Sequence, residues 1–409
     1  MLKKFAVIIF SLFLVGLAGW WTIGPDWRAL LRNPPLDTDV LFWSEAQRDA
    51  AFRMMDRVPM LATARTTETG EVRLLEQGTP LDLNMDISTY MGEQRHAGLV
   101  VLQDGKIRLE EYGLDFNNKG RWTSFSVAKS FTSTLVGIAI KEGHISSLDS
   151  YVTEYITGLQ GSAYDEVTIA QLLTMTSGVA WNEDYEDPSS DVANFNKKST
   201  EEGTSSLVNY MSQLPRAHTP GTVWNYSTGE TNLIGVLVSQ ATGRDLTDYL
   251  SEKIWTKIGM EQVGTWILGE DGHEISGCCI QAATRDYARF GQYILEGGMV
   301  DGQPTLPDGW LERAVNKQAE IGQEERGYGY QWWTYDDGSF AARGIFGQGI
   351  FIDPARKLVI ASNSSWGSAN GWRTGENARR ESFYRTVQNH IDAETVGSTE
   401  SMSSAETSD

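Results

Sequence analysis

A serine and a lysine with helical spacing, Ser126 and Lys129, open the apolar segment "TSFSVAKSFTSTLVGIAI" at residues 123–140. If a helix begins near Ser126, positions three apart share one face, which brings the hydroxyl and the amine together. The N–H groups of the first turn then point toward a developing oxyanion. Apolar burial and the positive helix end would lower the pKa of Lys129, and a neutral lysine accepts a serine proton. The pattern predicts a serine nucleophile with a lysine base; the alternative is a helix cap followed by a surface lysine.

A tyrosine, Tyr226, is the second candidate for proton transfer. It stands in "PGTVWNYSTGETNLIGVLVSQATG", after a Pro-Gly turn and just before a predicted helix. A phenol close to a cation can share a proton with Lys129, either as a phenolate or as a relay. Packing in the core beside Trp224 is the alternative interpretation.

Three glycines mark the strand-like segment "FAARGIFGQGIFIDP" near the end of the chain. Gly344, Gly347 and Gly349 interrupt an otherwise apolar pattern, which is typical of a backbone that a ligand approaches closely. A bulged edge strand is the alternative.

Patterns of other hydrolases and of metal sites are missing from the sequence. It contains no G-x-S-x-G and no H-E-x-x-H, and the acidic segment 181–191 lacks the spacing of an EF-hand. The histidines are scattered without a triad motif: His96, His144, His218, His273 and His390. We therefore predict no metal and no cofactor. The net charge of -20 repels phosphate backbones, so nucleic acid is excluded as a predicted partner.

The only cysteines are neighbours, Cys278 and Cys279. Adjacent residues cannot close a loop, so the sequence predicts no disulfide framework, and no spaced partner offers a thiolate zinc site. Two small buried side chains or a redox switch are the interpretations left open.

The N-terminus predicts a membrane helix. Lys3 and Lys4 precede an uncharged apolar run from Phe5 to about Ile23, which is just long enough to span a bilayer. The lysines favour a cytoplasmic N-terminus, with the remaining chain in the periplasm or cell envelope. We expect a signal anchor; a cleaved signal peptide is the alternative.

Strand patterns occur early and late in the chain, and helical patterns lie between them. "GLVVLQDGKIRLEEYG" reads as a hairpin around Asp-Gly, and strands return from about Gly327. The prediction is an α/β (α+β) fold: an antiparallel sheet from both chain ends flanked by helices, with a mostly helical insertion domain. The predicted domains are a signal anchor at 1–23, a stalk and N-terminal extension at 24–90, a hydrolase domain at 91–393, and a disordered acidic tail at 394–409.

Taken in order, these segments resemble the serine β-lactamase and penicillin-binding superfamily. The branch they resemble is class C-like: family VIII carboxylesterases and 6-aminohexanoate-dimer hydrolases. "SFSVAKSFTSTLVGIAI", "LLTMTSGVAWNEDY", "PGTVWNYSTGETNLIGVLV", "ATRDYARFGQYIL", "GYGYQWW" and "GIFGQGIFIDP" carry the likeness, over roughly residues 90 to 392. The resemblance implies a β-lactamase-like fold and acyl-transfer chemistry.

By this resemblance Ser126 is the acylated nucleophile, Lys129 its base, and Tyr226 the residue that protonates the leaving group. The backbone N–H groups of Ser126 and Ile345 would form the oxyanion hole. Arg343 and Gly344 stand at the third motif, and the resemblance also suggests that Tyr185 closes over the substrate. Arg373-Thr374-Gly375 looks like a Lys-Thr-Gly motif, but its place before the closing helix marks it as a decoy.

Two departures from the β-lactamase pattern bear on activity. Tyr226-Ser227-Thr228 replaces Tyr-x-Asn, and the third motif lacks the Lys-Thr-Gly that holds a β-lactam carboxylate. We therefore expect an extracytoplasmic, membrane-anchored serine hydrolase of a small ester or amide. The alternatives are a β-lactamase or D,D-peptidase-like enzyme, and a non-catalytic protein that binds cell-wall or peptide ligands. The sequence leaves the oligomeric state open.

Overall fold

The computed structural model describes residues 2–196 and 205–406. Its helices are α1 (Leu2–Thr22), α2 (Gly24–Arg32), α3 (Glu45–Ala51), α4 (Ile87–Glu93), α5 (Ala128–Lys141), α6 (Ile169–Leu173), α7 (Asp191–Asn194), α8 (Ser206–Ser212), α9 (Thr228–Thr242), α10 (Leu246–Leu250), α11 (Thr284–Leu295), α12 (Trp310–Ala314) and α13 (Glu376–Glu406). Its strands are β1 (Thr63–Arg65), β2 (His96–Gln103), β3 (Lys106–Tyr112), β4 (Trp122–Thr123), β5 (Thr265–Ile267), β6 (Ile280–Ala282), β7 (Met299–Val300), β8 (Gln303–Pro304), β9 (Ala319–Glu320), β10 (Arg326–Tyr328), β11 (Trp333–Tyr335), β12 (Phe340–Arg343), β13 (Gly349–Asp353) and β14 (Leu358–Ser364).

The main sheet has eight strands in the order β3-β2-β14-β13-β12-β11-β10-β9, and every neighbouring pair is antiparallel. The early hairpin β2–β3 joins the late strands through β14, whose register runs from Leu358 opposite Gln103 to Ser364 opposite His96. β2 and β14 are buried along nearly all of their length, because helices cover one face and α13 lies on the other. The predicted antiparallel sheet from both chain ends is confirmed.

Helices fill the middle of the chain, as the sequence predicts. α5 and α9 pack together, and α11 lies across β14, β2 and β13. α9 begins where the Ser227 hydroxyl accepts the N–H of Glu230 at 3.2 Å, which satisfies one otherwise unpaired donor of the first turn. It ends at Gly243, whose φ of +68° suits glycine. α5 and α9 therefore form a rigid support for the residues at their N-terminal ends.

The N-terminal extension is packed onto the hydrolase domain through its own apolar cluster. Trp43, Phe52 and Met55 are buried against Phe125 and Phe346. Strand β1 also joins a second, four-stranded sheet in the order β1-β5-β6-β4. Strands of two or three residues have too little periodicity to be recognised in the sequence, so this sheet was not predicted.

The first and last segments that the structure describes, α1 and α13, are helical. Among the described residues, no helix meets both the length and the apolarity that crossing a membrane requires. α13 continues from the domain to Glu406, through the segment for which the sequence predicts a disordered tail. Buried residues of α13, including Phe383, Val387 and Ile391, anchor its first half, and a helix that is already nucleated extends at little cost.

Candidate active site

Ser126 lies in a short 3₁₀ turn, Phe125–Val127, that leads directly into α5. The turn forms because Phe125 adopts a φ of +41°, a conformation that costs a non-glycine residue about 1–2 kcal/mol. Packing against Phe52 at 4.9 Å and Phe346 at 5.4 Å between ring centroids offsets that cost. The turn holds Ser126, which is 9% exposed, where two cavities meet.

Lys129 projects from the first turn of α5 into the protein interior. It is 1% exposed, and its Nζ donates to Thr228 Oγ1 at 2.9 Å and to Thr231 Oγ1 at 3.5 Å. Burial lowers the pKa of Lys129 to about 7, while the negative charge of Glu183 opposes the change. At neutral pH a large fraction of this amine is therefore uncharged and able to accept a proton.

Tyr226 precedes α9 and lines the same cavity as Ser126. Its ring lies 5.1 Å from Lys129 Nζ and stacks on Trp333 at 5.6 Å. Burial, and secondly the charge of Glu183, raise the pKa of Tyr226, so the phenol keeps its proton at neutral pH. Of the two states allowed by the sequence, the structure therefore favours a protonated relay over a phenolate.

Glu183 is a site residue that the sequence analysis missed. Its carboxylate accepts the Thr228 N–H at 2.9 Å and the Tyr185 hydroxyl at 2.8 Å, and it also pairs with the Thr228 hydroxyl and the Trp181 indole N–H. Because Thr228 also accepts from Lys129, a single hydroxyl links this carboxylate to the lysine. The sequence analysis considered 181–191 as a calcium loop and rejected it; the Trp-x-Glu-x-Tyr spacing at 181–185 was the available signal.

The third motif meets the nucleophile at the end of β12. A Cβ placed on Gly344 would lie 2.6 Å from Ser124 O and 3.1 Å from Ser126 N, so only glycine permits this approach. Ile345 follows in a 3₁₀ turn, and both it and Ser126 line both cavities. The structure thus brings Ser126 and Ile345, the pair expected to supply the oxyanion hole, to one place.

The remaining predicted binding residues lie around the same opening. Tyr185 is half-buried and lines both cavities beside Ser126. Arg343 lines one of them but is ion-paired with Glu381, and it donates to Asn377 Oδ1 at 2.9 Å. Arg373, in the Lys-Thr-Gly-like decoy, lies on the exposed turn between β14 and α13.

The two cysteines are joined to each other by a disulfide, and both line a cavity of about 370 Å³ that opens at Ser126. The bond closes only the ring of its own dipeptide and therefore fixes no loop.

His96 is buried away from the nucleophile and has a structural role. Burial lowers the pKa of His96 to about 3, and its Nδ1 pairs with Ser364 Oγ at 2.7 Å. Among the residues described, no cluster of His, Cys, Asp or Glu is suited to hold a metal ion.

Comparisons with known proteins agree with this geometry. The chain is 28% identical over 355 residues to a 6-aminohexanoate-dimer hydrolase of Paenarthrobacter ureafaciens, covering 82% of this chain and 88% of that protein. A solved structure of a proposed 6-aminohexanoate-dimer hydrolase from Bacillus anthracis aligns with a TM-score of 0.75 at 22% identity, covering 85% and 95% of the two chains. A family VIII carboxylesterase structure aligns with a TM-score of 0.57 at 16% identity, covering 76% and 99%. The sequence profile of the Beta-lactamase family matches residues 83–382, and the chain therefore belongs to this family of serine hydrolases.

Proposed function

We propose that this protein hydrolyses a small ester or amide through an acyl-enzyme on Ser126. One observation carries the proposal: Ser126 and Tyr226 line one cavity, and the buried Lys129, whose pKa burial lowers to about 7, places its Nζ 5.1 Å from the Tyr226 ring. A neutral base, a proton relay and a nucleophile in this arrangement are the parts that acyl transfer requires.

The proposed reaction proceeds in two halves. Ser126 Oγ attacks the substrate carbonyl carbon while its proton passes by way of Tyr226 to the neutral amine of Lys129. The oxyanion forms against the N–H groups of Ser126 and Ile345. Tyr226 returns the proton to the departing nitrogen or oxygen as the bond breaks. Water then attacks the Ser126 ester by the same relay and releases the acid.

Esters and linear amides fit the site better than β-lactams. The curated relatives include a 6-aminohexanoate-dimer hydrolase, and this likeness supports a small ester or amide as the substrate here. Thr228 occupies the place of the β-lactamase asparagine, and Arg343 already pairs with Glu381. A β-lactamase or D,D-peptidase-like activity is the second candidate, because the same nucleophile and relay would act on a β-lactam.

Intact-mass measurement separates these candidates. The full-length protein and its Ser126→Ala variant are mixed rapidly with a p-nitrophenyl ester and, separately, with a penicillin. An acyl adduct or nitrophenol burst with the ester, absent in the variant, supports the proposal. A stable adduct with penicillin alone supports the second candidate. No adduct and no turnover with either, together with ligand binding that survives in Ser126→Ala, would indicate a non-catalytic binding protein.

We further propose that the N-terminal segment anchors the enzyme in the membrane with the catalytic domain outside the cytoplasm. Lys3 and Lys4 precede the uncharged run that begins at Phe5, and such charge asymmetry favours this orientation. The protein should remain in the membrane pellet after a high-salt, alkaline wash and should keep its N-terminal residues. Recovery in the supernatant, with an N-terminus beyond Ile23, would instead indicate a cleaved signal peptide.

A further inference from the structure

The cavity of about 370 Å³ beside Ser126, here called the extension cavity, is walled in part by the N-terminal extension. Residues 38–42 and 60–62 form one wall, and residues 267–270 form another. β1–β5 pairing fixes these walls relative to each other, and the Leu268 N–H donates to Ala62 O at 2.9 Å. Residues 38–62 precede residue 83, where the family match begins. This wall therefore lies outside the region that the family profile matches.

A second cavity of about 250 Å³, here called the Tyr226 cavity, opens on the other side of the nucleophile. Ser126, Tyr185 and Ile345 line both cavities, but Tyr226 lines only the second. The group that protonates the leaving atom must contact it. The leaving group therefore belongs in the Tyr226 cavity, and the acyl group must extend into the extension cavity.

The lining of the extension cavity determines what kind of acyl group fits. Most lining side chains are apolar, among them Leu41, Met60, Leu61, Phe195 and Ile267. Among the residues that the structure describes in this lining, the charged ones are the acids Asp39 and Glu270. The charged residues that line the Tyr226 cavity are, by contrast, mostly basic: Arg326, Arg343 and Arg380, with the single acid Glu183 among the described lining residues. The polarity of the two cavities thus differs on the two sides of the scissile bond.

We infer that the extension cavity binds an apolar acyl group much larger than acetyl. This inference rests on the proposed function, because it assigns the cavity to the acyl half of the substrate of Ser126. The cavity has the volume of about a dozen water molecules at about 30 Å³ each. Each methylene buried in such a site increases apparent affinity about fourfold.

The test is a chain-length series of p-nitrophenyl esters from acetate to dodecanoate, using the full-length protein. We expect kcat/KM to rise at least tenfold from acetate to octanoate. Leu61→Trp, which fills the cavity, should remove this rise. Leu74→Trp is the matched control, because Leu74 is 83% exposed and lies outside the lining; it should keep the original profile. Leu61→Ala, which enlarges the cavity, should shift the optimum to longer chains.

A binding measurement distinguishes failure of this inference from failure of the proposed function. The measurement is a calorimetric titration of octanamide, which is uncharged, unlike octanoate. It is carried out with Ser126→Ala and with the double variant that also carries Leu61→Trp. Binding that Leu61→Trp weakens at least tenfold supports the cavity assignment, even if no ester is hydrolysed. Ester hydrolysis with a flat chain-length profile, or one that Leu61→Trp lowers equally for all esters, overturns the assignment and leaves the proposed function standing. Undetectable octanamide binding to Ser126→Ala also overturns it.

Discussion

Replacing Glu183 by glutamine should move the pH dependence of catalysis to lower pH. Lys129 must be neutral to accept a proton, so kcat/KM should rise with pH through the pKa of Lys129, about 7. Glu183 opposes the effect of burial by stabilising the charged lysine. Removing the carboxylate's charge therefore favours the neutral amine and lowers the pKa further.

The size of the shift follows from the hydroxyl bridge through Thr228. Two hydrogen bonds in series place the lysine and carboxylate charges roughly 5 Å apart. At an effective dielectric constant of about 20, their attraction is about 3 kcal/mol, or roughly two pKa units. Water that enters the site would reduce this value, so we expect the acidic limb to move down by about one to two units.

The assay is kcat/KM for a p-nitrophenyl ester, measured from pH 4.5 to 9 for the unmodified protein and for Glu183→Gln. Glu186→Gln is the matched control, because Glu186 lies in the same loop but pairs with Arg373 on the surface. Its profile should coincide with that of the unmodified protein. An acidic limb that stays near pH 7 in Glu183→Gln, or that moves upward, would refute the coupling between Glu183 and the catalytic lysine.

Three further changes test the site and its support. Gly344→Ala should reduce kcat by about tenfold to a hundredfold while the circular dichroism spectrum is unchanged, because the new Cβ would force β12 away from Ser126; an unchanged kcat would contradict this role. Glu230 is 2% exposed, and burial raises its pKa to about 8, so its contribution to stability is fully present below about pH 4.5 and is lost as the pH rises to 8. Glu230→Gln cannot ionise, so its free energy of unfolding should not fall in this way. Relative to the unmodified protein, the variant should be roughly 2–4 kcal/mol more stable at pH 8 than it is at pH 5, measured by chemical unfolding of both proteins at both pH values; parallel pH profiles would count against this role of Glu230. Phe52→Ala should lower the free energy of unfolding by about 3–5 kcal/mol and also reduce kcat, since Phe52 supports the strained Phe125; loss of stability at full kcat would separate the aromatic cluster from the nucleophile turn.

The sequence by itself predicted the parts of this protein that depend on local backbone geometry. Ser126 and Lys129 are three residues apart, and helical periodicity alone predicted that they share one face, although Ser126 lies in the 3₁₀ turn that leads into α5. Helical periodicity also predicted α9, and alternation with Asp-Gly predicted the β2–β3 hairpin. Tyr226 and Gly344 were found because each stands at the boundary of a recognisable element.

Only the tertiary structure decided how these groups act on one another. Glu183 is 45 residues from Thr228 along the chain, yet its carboxylate tunes Lys129 through that hydroxyl. The extension cavity likewise combines segments that begin at residue 38 and at residue 267. Such contacts leave no periodic signal, because they depend on how elements pack after the chain has folded back on itself. The sequence therefore determined which chemical groups are present, whereas packing determined the protonation states of these groups and the cavities in which a substrate can bind.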